Sequence, residues 1–239
     1  MDAGTVAGSA LDLRFLALSE CQIVPMEGKP TTSLATIAVT GGVACGKSAF
    51  CKGLVDRAAI GGLEVFSCDK EVGRLLEDAE IVRRIEGFAA EFGRSLFGSE
   101  TGRLDRVALR DLLFENSEFR GRVESELHPK VLQAAETLRS TFLGTSRIFL
   151  VEVPLLYEVA FSLSRDLDIV VGASAKTQVD RLVTNRAMPV QTARRILETQ
   201  MPIKEKLLRA DIVVWNDGSF SAFEAQISHL FSRFQSLFP

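Results

Sequence analysis

Short apolar runs alternate with segments of helical period along most of the chain. The runs at 36–39, 63–66, 148–153, 168–171 and 211–214 are β-branched or aromatic and mostly bounded by turn residues, as strands are when both faces of a parallel sheet are covered. Between them, 47–58, 70–76, 175–184 and 219–231 repeat their apolar residues at helical spacing. Alternation of this kind predicts an α/β fold built on a doubly wound, parallel, five-stranded sheet. The second and third runs lie much farther apart than one crossover helix requires, and the chain between them is helical in pattern throughout. A helical insert is therefore expected over 78–140, with helices at 81–92, 105–114 and 119–139 and a glycine-bearing connector at 93–102.

The first run breaks into Gly41-Gly42-Val43-Ala44-Cys45-Gly46-Lys47-Ser48 and then resumes with a helical pattern. The G-x-x-x-x-G-K-[ST] spacing between a strand and a helix predicts a phosphate-binding loop, in which successive backbone N–H groups converge on the anion. Glycine is expected at 41 and 46 because a Cβ there would obstruct that approach. Lys47 supplies a mobile cation for the β- and γ-phosphates. Ser48, in the first helical turn, is placed to reach Mg²⁺, and the positive helix end faces the phosphates. Ala49 follows as the last residue expected to touch the nucleotide. A chance glycine loop is the alternative, and the strand before it and helix after it argue against that.

Composition changes this picture little. The 239 residues are 46% apolar and 25% charged, as in an ordinary globular protein. A formal net charge of −3 offers no basic excess for nucleic acid or an anionic membrane, so neither is expected as a partner and any attraction to phosphate must be local. Cys21, Cys45, Cys51 and Cys68 show no C-x-x-C spacing, which predicts neither a zinc site nor a disulfide framework and points to a reducing cytoplasm. Amide dipoles and Lys47 favour a lowered thiol pKa at Cys45, although a small filler side chain is the simpler reading. No apolar stretch approaches the roughly 20 residues of a bilayer span, and residues 1–33 lack the basic start and apolar core of a secretory signal. Ending in Gly, Pro, Ser and Thr, those residues predict an N-terminal extension ahead of a single domain over 34–239. Within the extension, 11–18 suit one or two short amphipathic turns, and Met26 serves equally well as a start.

The second run ends in Val65-Phe66-Ser67-Cys68-Asp69-Lys70, which puts Asp69 at the carboxyl edge of the sheet, where ligands bind in such folds. An N-cap of the next helix is its alternative role. Together with the loop, these residues make the chain resemble the dephospho-coenzyme A kinases. That family's T-G-G-x-x-x-G-K-S pattern occurs at 40–48, and its Asp-x-Asp segment as Ser67-Cys68-Asp69, without the first carboxylate. The resemblance continues through Phe92-Gly93, Leu104-Asp105-Arg106, Leu127-His128-Pro129, Val153-Pro154-Leu155-Leu156-Tyr157-Glu158, Gln178 with Arg181, Gln200, Ala210-Asp211 and Asn216-Asp217-Gly218, and so spans roughly 36–231.

The resemblance implies a P-loop kinase fold and ATP-dependent phosphorylation of the ribose 3′-hydroxyl of dephospho-coenzyme A. ATP, Mg²⁺ and dephospho-coenzyme A are then the expected cofactors and partners. By position, Lys47 is the catalytic lysine of the loop, Asp69 activates the acceptor, and Arg181 is an arginine of a lid over 181–195 that closes on the triphosphate. Asn216 falls near the adenine. The insert over 78–140 would receive dephospho-coenzyme A, with Arg106 and His128 its most recognisable polar members. His128, just before Pro129, has the alternative of a structural imidazole at a helix break. A second lid arginine of the family, four positions on, falls on Asn185, with Arg186 beside it and Arg194 and Arg195 as further cations. Ser48 is the expected Mg²⁺ ligand, and Glu152, ending the third run, is added as one acting through water. A GTP switch would carry N-K-x-D, which this chain lacks. A dead binding module would be expected to lose Lys47 or Asp69, which leaves another small-molecule kinase as the rival.

Overall fold

The computed structural model describes residues 34–58, 62–98, 103–144, 148–159 and 161–237; the expected extension, with Cys21 and Met26, lies outside them. Among the described residues, β1 (Ala35–Gly41), β2 (Leu63–Ser67), β3 (Ile148–Glu152), β4 (Leu167–Gly172) and β5 (Ile212–Trp215) form an all-parallel sheet in the order β2-β3-β1-β4-β5. This is the five-stranded doubly wound sheet expected from the apolar runs. β1 lies at the centre of the sheet, paired with β3 and β4 on its two edges, and is buried at every position, so its sequence ATIAVTG needs no polar face. Register places Val39 opposite Glu152 and Gly41 opposite Val171.

Two helices cover one face of the sheet. Phe50 and Leu54 of α1 (Lys47–Arg57) join Phe223, Ile227, Leu230 and Phe234 of the C-terminal helix Phe220–Leu237, here α9, against Ile37, Val39, Ile169 and Val171. Full burial of each such side chain stabilises by about 1.5–3 kcal/mol. The spacing 223, 227, 230, 234 keeps all four on one stripe of α9 and so decides which face of that helix is buried.

By contact, the described residues divide into two compact units, the first drawn from Met1–Val65, Gly144–Ala160 and Arg165–Pro239 and the second from Phe66–Leu143 and Phe161–Ser164. The second contains α2 (Cys68–Leu75), α3 (Ala79–Glu91), α4 (Arg106–Glu115) and α5 (Ser117–Ser140). Phe119, Val123, Leu127, Val131 and Ala135 form a four-residue-spaced stripe on α5 that buries against Ile81, Val82, Ile85 and Ala89 of α3 and Leu109 and Leu112 of α4. Phe92 meets Phe119 edge to face at 6.1 Å.

In the first unit, α6 (Ala175–Arg186) precedes two helices that the apolar pattern does not announce, α7 (Val190–Thr199) and α8 (Ile203–Arg209). Each starts directly after a proline, Pro189 and Pro202, whose fixed φ suits a helix start. Among the described residues, no helix is long and apolar enough to cross a membrane.

Candidate active site

The loop at 41–48 connects β1 to α1, and two of its three glycines, Gly41 and Gly46, are required by the protein itself. Gly41 has φ +149°, and a Cβ on it would lie 2.0 Å from the Val171 carbonyl oxygen on β4. Gly46 has φ +98°, and a Cβ would lie 2.4 Å from Asn216 Nδ2. Apart from any phosphate, neighbouring backbone and an amide already occupy the space that a Cβ would need. Ala44 is also left-handed, at φ +56°, a conformation that an L-residue holds only under outside restraint.

That restraint comes from side chains distant in sequence. Arg181, on α6, donates from Nη1 to the Ala44 carbonyl at 3.2 Å and from Nη2 to the Asn216 carbonyl at 2.8 Å. Asn216, following β5, donates from Nδ2 to the Cys45 carbonyl at 2.9 Å. The Val43 N–H is donated to Gln200 Oε1 at 3.0 Å. Lys47 turns its Nζ onto the loop's own Gly41 and Gly42 carbonyls, at 3.2 and 2.9 Å. Ser48 and Ala49 are exposed at the start of α1. Cys45 is fully buried, and burial pushes its thiol up against the opposing pull of Lys47 and Arg181. It is a filler side chain and not an activated thiol.

Ser48 Oγ donates to Glu152 Oε1 at 2.6 Å, which brings together the two residues expected to serve Mg²⁺. Glu152 ends β3 and is 6% exposed. A hydroxyl and a carboxylate are hard oxygen donors, and Mg²⁺ completes its octahedron with phosphate oxygens and water, so this pair fits the ion.

In the second unit, Asp69 is exposed at the second residue of α2. The N-cap of that helix is Ser67, which corrects the alternative reading of Asp69 as the cap. One turn beyond Asp69, the Gly73 carbonyl accepts from Arg106 Nη2 at 3.2 Å. Arg106 thus docks on α2, four residues along from Asp69. His128 is exposed and makes no hydrogen bond among the described residues, and α5 runs unbroken through Pro129, so the helix break considered for this position does not occur.

A family model described as dephospho-CoA kinase matches residues 35–222. The chain belongs to this family. A dephospho-CoA kinase of Methylococcus capsulatus is 32% identical over 201 residues, covering 84% of this chain and 97% of the relative. One of Aromatoleum aromaticum is 32% identical over 199 residues, covering 83% and 93%. Among solved structures, a Thermus thermophilus protein superposes with a TM-score of 0.67 at 25% identity, covering 86% of this chain and 98% of that one. The dephospho-CoA kinase from Campylobacter jejuni gives 0.55 at 24%, over 84% and 98%, a likeness of fold.

Arg181 and the arginines that follow it separate clearly in the structure. Arg181 is half-buried on the loop, whereas Arg186, Arg194 and Arg195 are exposed. Two neighbours of the site were given no role by the sequence analysis, which passed over Lys206 and named Asp217 only within a motif. Lys206, on α8, is 0% exposed; its Nζ lies 2.7 Å from Glu158 Oε1 and donates to the Pro154 carbonyl at 3.2 Å. The signal was faint: position 206 follows Ile203 by one helical turn, whereas the exposed Lys204 does not. Asp217 accepts from the Ser174 N–H at 2.9 Å and so fixes the start of the helix that carries Arg181. Burial pushes its carboxyl up, but hydrogen bonds from Thr177 and Ser174 and the charge of Arg181 outweigh burial and hold it below the usual carboxylate range.

Proposed function

We propose that this chain transfers the γ-phosphoryl group of ATP to the ribose 3′-hydroxyl of dephospho-coenzyme A, the last step of coenzyme A biosynthesis. The observation that carries the reading is the family match over 35–222, a span that includes both the loop and Asp69. Phosphoryl transfer needs positioning and charge neutralisation more than covalent help. The loop amides and Lys47 hold the triphosphate. Lys47 leaves the Gly41 and Gly42 carbonyls for the β- and γ-oxygens, where its attraction grows as negative charge develops in the transition state. Ser48 directly, and Glu152 through water, would hold Mg²⁺, which would neutralise phosphate charge. Arg181 moves from the Ala44 carbonyl toward the transferring group as the 181–195 lid closes and water is excluded. Asp69 orients the 3′-hydroxyl and accepts its proton. The segment 78–140 receives the acceptor, with Arg106 and His128 as polar contacts, and Asn216 stands near the adenine. The reaction is placed in the cytoplasm, in keeping with Cys45, Cys51 and Cys68 as buried free thiols.

The test is a panel of hydroxyl acceptors with purified protein and Mg·ATP, products identified by mass. Phosphate is expected on dephospho-coenzyme A and not on its 3′-deoxy analogue. Phosphate on that analogue, or a clear preference for an unrelated alcohol, overturns the assignment.

A further inference from the structure

Three consecutive loop residues each have one backbone group held by a side chain from the last quarter of the chain. Val43 gives its N–H to Gln200, Ala44 its carbonyl to Arg181, and Cys45 its carbonyl to Asn216. The middle residue is the left-handed Ala44. Gln200 and Arg181 therefore grip the chain on either side of the one non-glycine loop residue whose backbone is strained.

Gln200 is itself tightly located. It ends α7 in extended conformation, φ −97° and ψ 156°, with its own N–H on the Leu197 carbonyl at 3.3 Å. The next residue, Met201, donates its N–H to Glu158 Oε1 at 3.1 Å, the oxygen that also pairs with the buried Lys206. Lys206 donates in turn to the Pro154 carbonyl, which also accepts from Thr40 Oγ1 at 3.3 Å. Thr40 immediately precedes the loop. The contacts thus form a closed circuit from the end of β1, through Pro154, Lys206, Glu158 and Met201, back to Val43. A side chain anchored in this way has little freedom of its own to lose, so its hydrogen bond acts on the loop.

We propose that Gln200 is a positioning residue for ATP binding: its amide oxygen, fixed at the joint of α7 and α8, holds the Val43 peptide and so keeps the loop in its left-handed turn at Ala44 before nucleotide arrives. This rests on the reading of the loop as the ATP site. Preorganisation of this kind lowers the cost of binding nucleotide and leaves the acceptor untouched.

The test compares Gln200→Met with wild type. The variant, which keeps length but has no amide acceptor, is expected to raise KM for ATP roughly tenfold and to leave KM for dephospho-coenzyme A within about twofold. In nucleotide-free protein its Val43 amide proton resonance moves upfield. Ala44→Gly added to it restores most of the lost ATP affinity, because glycine adopts positive φ without the clamp. Gln200→Glu is the second variant: it keeps an acceptor, so the Val43 resonance stays downfield, while a carboxylate beside the triphosphate still raises KM for ATP. An unchanged KM for ATP in both variants overturns the proposal. So does a lowered KM in the Met variant, which would make Gln200 a competitor of phosphate. A parallel rise in both KM values without rescue by Ala44→Gly reduces Gln200 to a structural tie. Failure of the ATP-site reading shows separately, as loop resonances of wild-type protein that do not move on saturation with Mg·ATP.

Discussion

Three helices of the second unit and three of the first begin in different ways. In the second unit, α3, α4 and α5 each start behind a side chain that closes the first turn. Asp78 accepts from the N–H groups of Glu80 and Ile81, Asp105 from those of Val107 and Ala108, and Asn116 from that of Phe119. In the first unit, α1 starts at Gly46, and α7 and α8 start at prolines, all without a side-chain cap. The polar contacts differ in the same sense. Many of those in the second unit join exposed side chains one helical turn apart, such as Arg84 with Glu80 and Arg122 with Glu118. Those around the loop join residues 104 to 171 positions apart and end on backbone atoms or a buried carboxylate. A capped helix with solvated ion pairs is complete by itself. An uncapped helix behind a strained loop is completed by tertiary contacts and, on the proposed reading, by the phosphates of its substrate.

If this contrast is sound, substitutions in the second unit cost little, with Asp69 as the exception that would matter most. Asp69→Asn keeps shape and removes the base, so kcat/KM for dephospho-coenzyme A is expected to fall by roughly 10²–10⁴ with ATP binding and melting midpoint retained. Steady-state kinetics with calorimetric ATP titration check it, and near-wild-type turnover would remove Asp69 from the mechanism. In the first unit, Lys47→Ala is expected to lower kcat/KM by a factor on the order of hundreds while the fold persists, since its present partners are loop carbonyls and its charge is needed at the transition state. Activity close to wild type would show that the loop is not the catalytic phosphate site.

Lys206→Met tests the claim that the first unit depends on long-range polar ties. Removing one partner of a buried ion pair costs about 3–5 kcal/mol. Because Glu158 keeps 19% of its side-chain exposure, about 3 kcal/mol is expected from denaturant unfolding. A loss of less than about 1 kcal/mol would place this pair with the ordinary surface bridges of the second unit.

The smallest effect is a matter of pH. The N–H groups of Glu80 and Ile81 hold the Asp78 carboxyl below its ordinary range. A carboxylate with a depressed folded-state pKa stabilises fully above its unfolded value, and that contribution disappears as pH falls through the folded value. Asn offers the same cap oxygen without the charge that favours the helix N-terminus, so wild type should melt about 1–3 °C above Asp78→Asn at neutral pH, and the gap should close as pH falls through and below the ordinary carboxylate range. A gap that persists in acid would mean that charge is not the difference.

Several features of the molecule were legible before any coordinates. The strands were, because β1, β3 and β4 are buried on both faces and leave uninterrupted apolar runs. The end of β1 was not, since Gly41, beyond the apolar run, joins the sheet only by pairing with Val171 of β4. The loop was legible from spacing alone, whereas α7 and α8 were hidden by short length and proline starts.

By itself the sequence determined the order of the strands and of the helices other than α7 and α8, the phosphate-loop spacing, and the positions of Lys47, Ser48, Asp69 and Arg181, because these rest on local periodicity and on residue type at fixed offsets. Tertiary structure alone decided that Gly41 answers to a β4 carbonyl, that Arg181 and not Arg186 reaches the loop, that Ser48 meets Glu152, and that Lys206 and not Lys204 is buried. Each of these is a contact between chain segments far apart in sequence. Such a contact depends on which strands become neighbours and which helical face turns inward, and no window along the sequence contains both partners.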